Sequence, residues 1–152
     1  MADKEKIAIA SDHAGVELKA AVGEVLKAEG FAVLDLGPDN PEQSVDYPDY
    51  GKAVAKRVSC GELKRGILIC GTGIGMSLVA NKYPGVRAAL VHDRFTAEAA
   101  KEHNNANILV LGARVVTVDL AKELVRLWLK TEYVGGRHQR RIDKIEIEEC
   151  CK

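Results

Sequence analysis

Five short apolar runs, Lys6 to Ser11, Phe31 to Leu36, Ile67 to Cys70, Val86 to Val91 and Ile108 to Leu111, alternate along the chain with segments of helical spacing. That alternation is the strongest constraint on the fold. Largely apolar strands are covered on both faces, and a helix between successive strands supplies the crossover that parallel neighbours require. The helical segments are Val16 to Glu29, Tyr50 to Val58, Met76 to Tyr83, Phe95 to His103 and Val118 to Tyr133. In the first, Leu18, Ala21, Val22, Val25 and Leu26 form a stripe ended by Gly30; in the last, Leu120, Leu124, Leu127 and Trp128 lie on or near one face. Gly37-Pro38-Asp39-Asn40-Pro41 opens the longest irregular stretch, which runs to about Pro48. The expected architecture is a mostly parallel five-stranded sheet between two helical layers, with ligands outside the carboxyl ends of the strands.

At 152 residues the chain suits one domain, and 47% hydrophobic against 5% aromatic residues implies a core of Ala, Val, Ile and Leu. Lys+Arg 22 balances Asp+Glu 22, so no global field draws it to nucleic acid or to an anionic membrane. The charged start, Met1 to Lys6, has no signal-like apolar region, and no stretch reads as a membrane span. Cys60, Cys70, Cys150 and Cys151 lack C-x-x-C spacing, which fits reduced thiols in the cytoplasm. The domain closes at Gly135-Gly136. Residues 137–152 form a basic and amphipathic tail of that same domain, with Ile142, Ile145 and Ile147 among charges. It could pack on its own domain or cross to a second subunit, and the crossing is the preferred reading.

Chemistry should gather where strands end. Four groups stand there and could face one crevice: Ser11-Asp12-His13, Cys70 to Gly75, His92-Asp93 and Gly112-Ala113-Arg114. Cys70 alone would read as a small core filler. The turn Gly71-Thr72-Gly73-Ile74-Gly75 changes the odds, because its N–H groups and a following helix can hold an anion and lower a thiol from its usual value of about 8.5. Gly71 and Gly73 begin a dinucleotide fingerprint that Met76 fails to complete, and no G-K-[ST] follows. A nucleotide-binding module is therefore the rival reading. No H-E-x-x-H or paired-cysteine set exists, so no metal is expected. His103 is either a helix cap or a general acid/base. Arg137 and Arg141, at i and i+4, would share one face of a helical tail and could clamp a phosphate; otherwise they are a solvated patch. RNA binding through these arginines is disfavoured by the neutral charge and the lack of aromatic platforms.

Taken together, Ser11-Asp12-His13, Asp46-Tyr47-Pro48, Ile67 to Gly75, Ala80-Asn81-Lys82, His103-Asn104 and Gly135 to Arg141 resemble the ribose-5-phosphate isomerase B family over nearly the whole chain. The resemblance implies a Rossmann-like α/β/α sandwich, a homodimer or tetramer with sites at the subunit interface, and interconversion of ribose 5-phosphate and ribulose 5-phosphate without a metal or cofactor. It implies Cys70 as the base, Thr72 as a proton shuttle, and the Gly71, Gly73, Ile74 and Gly75 segment as the enediolate cradle. His103 would open the sugar ring with Asn104 nearby, and Asp12 and Tyr47 would line the sugar. His13, Arg114, Arg137 and Arg141 would hold the phosphate, some of them from the partner. Cys70 with Met76 resembles the branch with a cysteine base rather than a later glutamate. Relatives of this type also act on galactose 6-phosphate, as paired unlike subunits, or on allose 6-phosphate.

Overall fold

The computed structural model describes residues 3–146. Strands β1 (Lys6–Ser11), β2 (Ala32–Asp35), β3 (Arg65–Cys70), β4 (Ala88–Leu90) and β5 (Ile108–Gly112) form one sheet in the order β2-β1-β3-β5-β4, and every pairing is parallel. Helices α1 (Val16–Ala28), α2 (Tyr47–Ser59), α3 (Ile74–Ala80), α4 (Arg94–Glu102) and α5 (Val118–Lys130) make the crossovers. A short α6 (Arg137–Asp143) follows, so Arg137 and Arg141 do sit one helical turn apart.

Alternate strand residues point to opposite faces, and the core divides accordingly. Ile7, Ile9, Ile67, Ile69, Leu109 and Leu111 pack under α1, α4 and α5 with Val22, Leu26, Leu124 and Trp128. Ala8, Ala10, Leu68, Cys70 and Val110 pack under α2 and α3 with Val54, Ala55, Met76 and Ala80. Each large aliphatic side chain buried this way contributes about 1.5–3 kcal/mol. The second face is the thinner one, because β1 presents only alanines to it; Cys70 lies on that face.

Several element ends differ from the sequence reading for local reasons. Helix α2 starts at Tyr47, before Pro48, because a proline in the first helical turn loses no bond that the turn would make. Helix α3 spans Ile74–Ala80, shifted toward the glycine turn, and α5 ends at Lys130, where Thr131 turns extended and its hydroxyl donates to the Leu127 carbonyl at 2.7 Å. Strand β4 keeps three residues; its outer edge is capped by the Asn81 amide, which donates to Ala88 O at 3.0 Å and accepts from Ala88 N at 2.9 Å.

The irregular stretch after β2 is held at both ends. Lys19, almost fully buried, reaches both oxygens of Asp35 at 2.6 and 2.7 Å, and Asp35 Oδ1 accepts from Gly37 N at 2.8 Å. At the far end Val45 N–H donates to His13 Nδ1 at 3.2 Å. In the tail, Ile142 is buried against its own chain while Ile145 is 57% exposed. Ile147, Cys150 and Cys151 lie outside the described residues.

Candidate active site

After β1 the chain crosses to one side of the sheet to make β2, and then returns to the other side for β3. The carboxyl ends of β1 and β3 therefore border a crevice that no connection covers. Asp12 N–H continues the ladder by donating to Ile69 O at 3.1 Å, and the Asp12 carboxylate accepts from Ala14 N at 3.0 Å, closing a short 3-10 turn over His13–Gly15. His13 accepts at Nδ1 from Val45, which leaves Nε2 as the protonated nitrogen of the neutral ring and a donor toward the crevice.

From the other side, β3 ends at Cys70, 4% exposed, and the glycine turn follows. Gly73 adopts φ 81°, a left-handed conformation that brings the backbone round into α3. The Thr72 hydroxyl accepts from Ile74 N at 3.2 Å, whereas the Gly71, Thr72 and Gly73 N–H groups find no protein acceptor among the described residues. Strand β5 braces this turn: Ala113 N–H donates to Cys70 O at 2.8 Å and Arg114 N–H to Gly71 O at 2.9 Å. A Cβ on Gly112 would stand 2.6 Å from the Thr72 backbone oxygen, so that neighbour requires glycine, and one on Gly75 would stand 2.6 Å from the Tyr47 ring and push the ring aside. Asp12, His13, Tyr47, Cys70, Gly71, Thr72, Ile74, Gly75 and Arg114 line one cavity of about 460 Å³, with Ala14 and Leu78 completing it. Gly73 is buried behind that wall and shapes the turn rather than facing the cavity.

His92 and Asp93 do not join this crevice, contrary to the reading of four strand ends around one space. Asp93 is spent on α4: its carboxylate accepts from Thr96 N and from the Thr96 hydroxyl, both at 2.8 Å, in a reciprocal cap. These hydrogen bonds, backbone first, hold the carboxyl below its usual range.

His103, Asn104, Arg137 and Arg141 form a second group elsewhere in the chain. His103 closes the carboxyl end of α4, and five residues later the chain enters β5. Asn107 O accepts from Gly66 N near the start of β3, so this group stands by the amino end of the sheet. Cys70 ends β3, four residues beyond Gly66 and about 13 Å away along the strand at roughly 3.3 Å per residue. His103 borders a cavity with Phe95, Glu98, Ala99 and Glu102, and Asn104 borders another with Asn81, Arg87 and Ile145. Arg137, Arg141 and Asn104 are exposed. His138, given no role in the sequence reading, lies face to face with His103, ring centroids 4.4 Å apart and 11° from parallel. Gly112 was also missed as a support; its place directly after an apolar strand was the available signal. No group of three or more His, Cys, Asp or Glu side chains suited to a metal occurs among the described residues, and no described helix is long and apolar enough to cross a membrane.

A glycine turn after a central parallel strand, with a thiol, an imidazole and a guanidinium around one cavity, belongs to enzymes that act on small anionic substrates. The chain is a member of the Ribose/Galactose Isomerase family, whose model matches residues 7–145. It is 54% identical over 140 residues to a putative sugar phosphate isomerase of Bacillus subtilis, covering 92% of this chain and 94% of that one. A ribose-5-phosphate isomerase B from Clostridium thermocellum superposes with a TM-score of 0.89 at 53% identity, covering 92% of this chain and 94% of the other. A ribose-5-phosphate isomerase B of Mycoplasma genitalium with bound ribulose 5-phosphate does so at 0.90 and 48%, covering 95% of each.

Proposed function

We propose that the chain interconverts ribose 5-phosphate and ribulose 5-phosphate, and that each active site joins the Cys70 cavity of one subunit to the His103 group of another. The observation that carries this reading is the partition itself. One end of the chain's sheet offers a thiol and open N–H groups, and the other end offers an imidazole and two arginines, too far away to serve the same sugar. A two-fold, antiparallel meeting of two copies brings each cavity the groups that it lacks, and makes the tail from Arg137 a cross-subunit element.

In the assembled site His103 passes a proton to the ring oxygen as the C1–O4 bond breaks, and the anomeric hydroxyl gives its proton back to the imidazole. Asp12 and Asn104 orient the hydroxyls of the open chain. Cys70, as thiolate, removes the C2 proton next to the carbonyl. The charge moves to the carbonyl oxygen as a cis-enediolate, facing the Gly71 to Gly75 N–H groups; preorganised donors of this kind are worth about 3–4 kcal/mol each to a transition state. Thr72 moves a proton between O1 and O2, and the cysteine returns its proton to C1. The phosphate dianion lies between His13 Nε2, Arg114, and the partner's Arg137 and Arg141, where guanidinium pairs bind it in charge-assisted bonds.

Coupled turnover on ribose 5-phosphate, allose 6-phosphate and galactose 6-phosphate, with a chelator present, tests the substrate. The five-carbon sugar is expected to lead, and an equal or better rate on a six-carbon sugar would overturn the name of the reaction. Mixing inactive Cys70→Ala and His103→Asn chains after unfolding tests the architecture. Random pairing forms one intact site in each mixed dimer and restores about a quarter of the native rate; a mixture as dead as its parents would refute the shared site.

A further inference from the structure

The stacked imidazoles of His103 and His138 do more than fill space. His103 caps α4, with its N–H donating to Ala99 O at 2.9 Å, so its backbone is fixed by the helix, but its ring stands on the surface. Nothing on α4 sets the plane of that ring. Its Nε2 lies 3.8 Å from Glu102 Oε1, beyond hydrogen-bond range, and no hydrogen bond within the described chain holds either ring nitrogen. The His138 ring does set the plane, from one side, at 4.4 Å.

Helix α6 is braced to present it. Val134 N–H donates to Glu102 O at 3.1 Å, tying the segment before α6 to the last turn of α4. The Tyr133 hydroxyl donates to Gln139 Oε1 at 2.9 Å, and Gln139 Nε2 donates to Asp143 Oδ1 at 2.7 Å. These contacts fix α6 against α4 without help from the stack, so the stack is a product of the frame and not its cause.

We propose that His138 is a positioning residue for His103, holding its ring in plane by the stack. The inference rests on the reading of His103 as the group that opens the sugar ring. Glu102 and Glu98 face the pair from α4, and Arg137 and Arg141 from α6. Arg137 and Arg141 flank His138 and oppose a proton there, and Glu102 favours one. Two imidazolium rings this close repel, so protonation of one suppresses protonation of the other. The direction of the His138 titration agrees: lost hydration, then the charges of His103, Arg137 and Arg141, pull it below the usual histidine value, with Glu102 opposing. A flat neighbour holds the His103 ring edge toward the sugar.

The test exploits a difference between the two substrates. Ribose 5-phosphate is mostly cyclic and must be opened, whereas ribulose 5-phosphate cannot close a furanose because its C5 oxygen carries the phosphate. His138→Ala is expected to lower kcat/KM about tenfold in both directions, which the equilibrium constant ties together, a loss typical of a misoriented catalytic group, and to change exchange of the C1 hydrogen of ribulose 5-phosphate with deuterated water, which needs no ring step, less than about twofold. His138→Phe keeps a flat ring without a charge and is expected to recover most of the loss. In the wild type, the NMR titration of His138 should lie below the usual histidine value, and it should move up in His103→Asn. Equal slowing of turnover and of that exchange, no slowing of either, or a His138 titration unmoved by His103→Asn would each overturn the proposal. A wild type inactive on both sugars would instead overturn the isomerase reading, and the NMR comparison would still report on the pair.

Discussion

The two halves of the proposed site are built to different standards. The Cys70 half is set into the sheet: Cys70 is 4% exposed, the turn after it is fixed by β5 through two backbone hydrogen bonds, and Gly75 and Gly112 leave room for a Tyr47 ring and a Thr72 carbonyl at contact distance. The His103 half stands on helix ends, with its arginines exposed and its imidazole oriented by one stacking contact. On the proposed reading, the groups that would meet a developing charge are rigid, and those that would grasp a phosphate or open a ring sit where a second subunit would bring them. Preorganisation is placed where reorganisation would cost rate.

The sharpest way to break this contrast is Cys70→Ala. Turnover should fall by roughly a thousandfold, as expected for loss of a general base, while calorimetry shows a fold weakened by about 1 kcal/mol, the cost of deleting a small buried group. Retained turnover would move the base out of the rigid half. Gly112→Ala probes the brace and not the chemistry. A methyl placed 2.6 Å from a backbone oxygen must displace the turn, and we expect a loss of about 1–3 kcal/mol in urea unfolding and at least a tenfold fall in kcat. Native kcat in that variant would mean that the turn tolerates a shift and that its rigidity is not needed. Asp93→Ala has the smallest effect: it removes the cap at the far end of the helix that carries His103, and should lower Tm by about 2–5 °C with turnover unchanged. The folded Asp93 carboxyl lies below its usual value of 3.8, so its stabilisation is complete above that value and fades as pH falls through the lower folded one. The Tm difference between wild type and variant should therefore close in strong acid. A difference that persists there would show that the cap does not act through its charge.

Much of this was legible in the sequence. The five strands and their crossovers follow from apolar runs and helical spacing, and the elements of the rigid half stand at strand ends where a parallel sheet exposes function. Pro48 misled the start of α2 because a proline reads as a break, although at a first turn it is harmless; the consequence was that Tyr47 became helical and came to rest against Gly75. Asp93 stood at a strand end but was consumed by a cap, a role that Asp-x-x-Thr spacing could have suggested. The order of strands was beyond reach, since an apolar run does not encode its neighbour. So was the distance between His103 and Cys70, which depends on that order and on which end of each strand a loop occupies.

Strand order also bears on how the molecule is made. The last strand to leave the ribosome, β5, lies inside the sheet between β3 and β4. Until residues 108–112 emerge, the nascent chain has an open edge on β3, and β4 has no neighbour at all. Unpaired edges of this kind invite pairing with other chains. The loop carrying Cys70 also lacks its two bonds from Ala113 and Arg114 during that interval. Synthesis therefore completes the Cys70 half of the proposed site only after about three quarters of the chain has been translated, and a product arrested short of β5 holds the thiol without the two bonds that fix the turn after it.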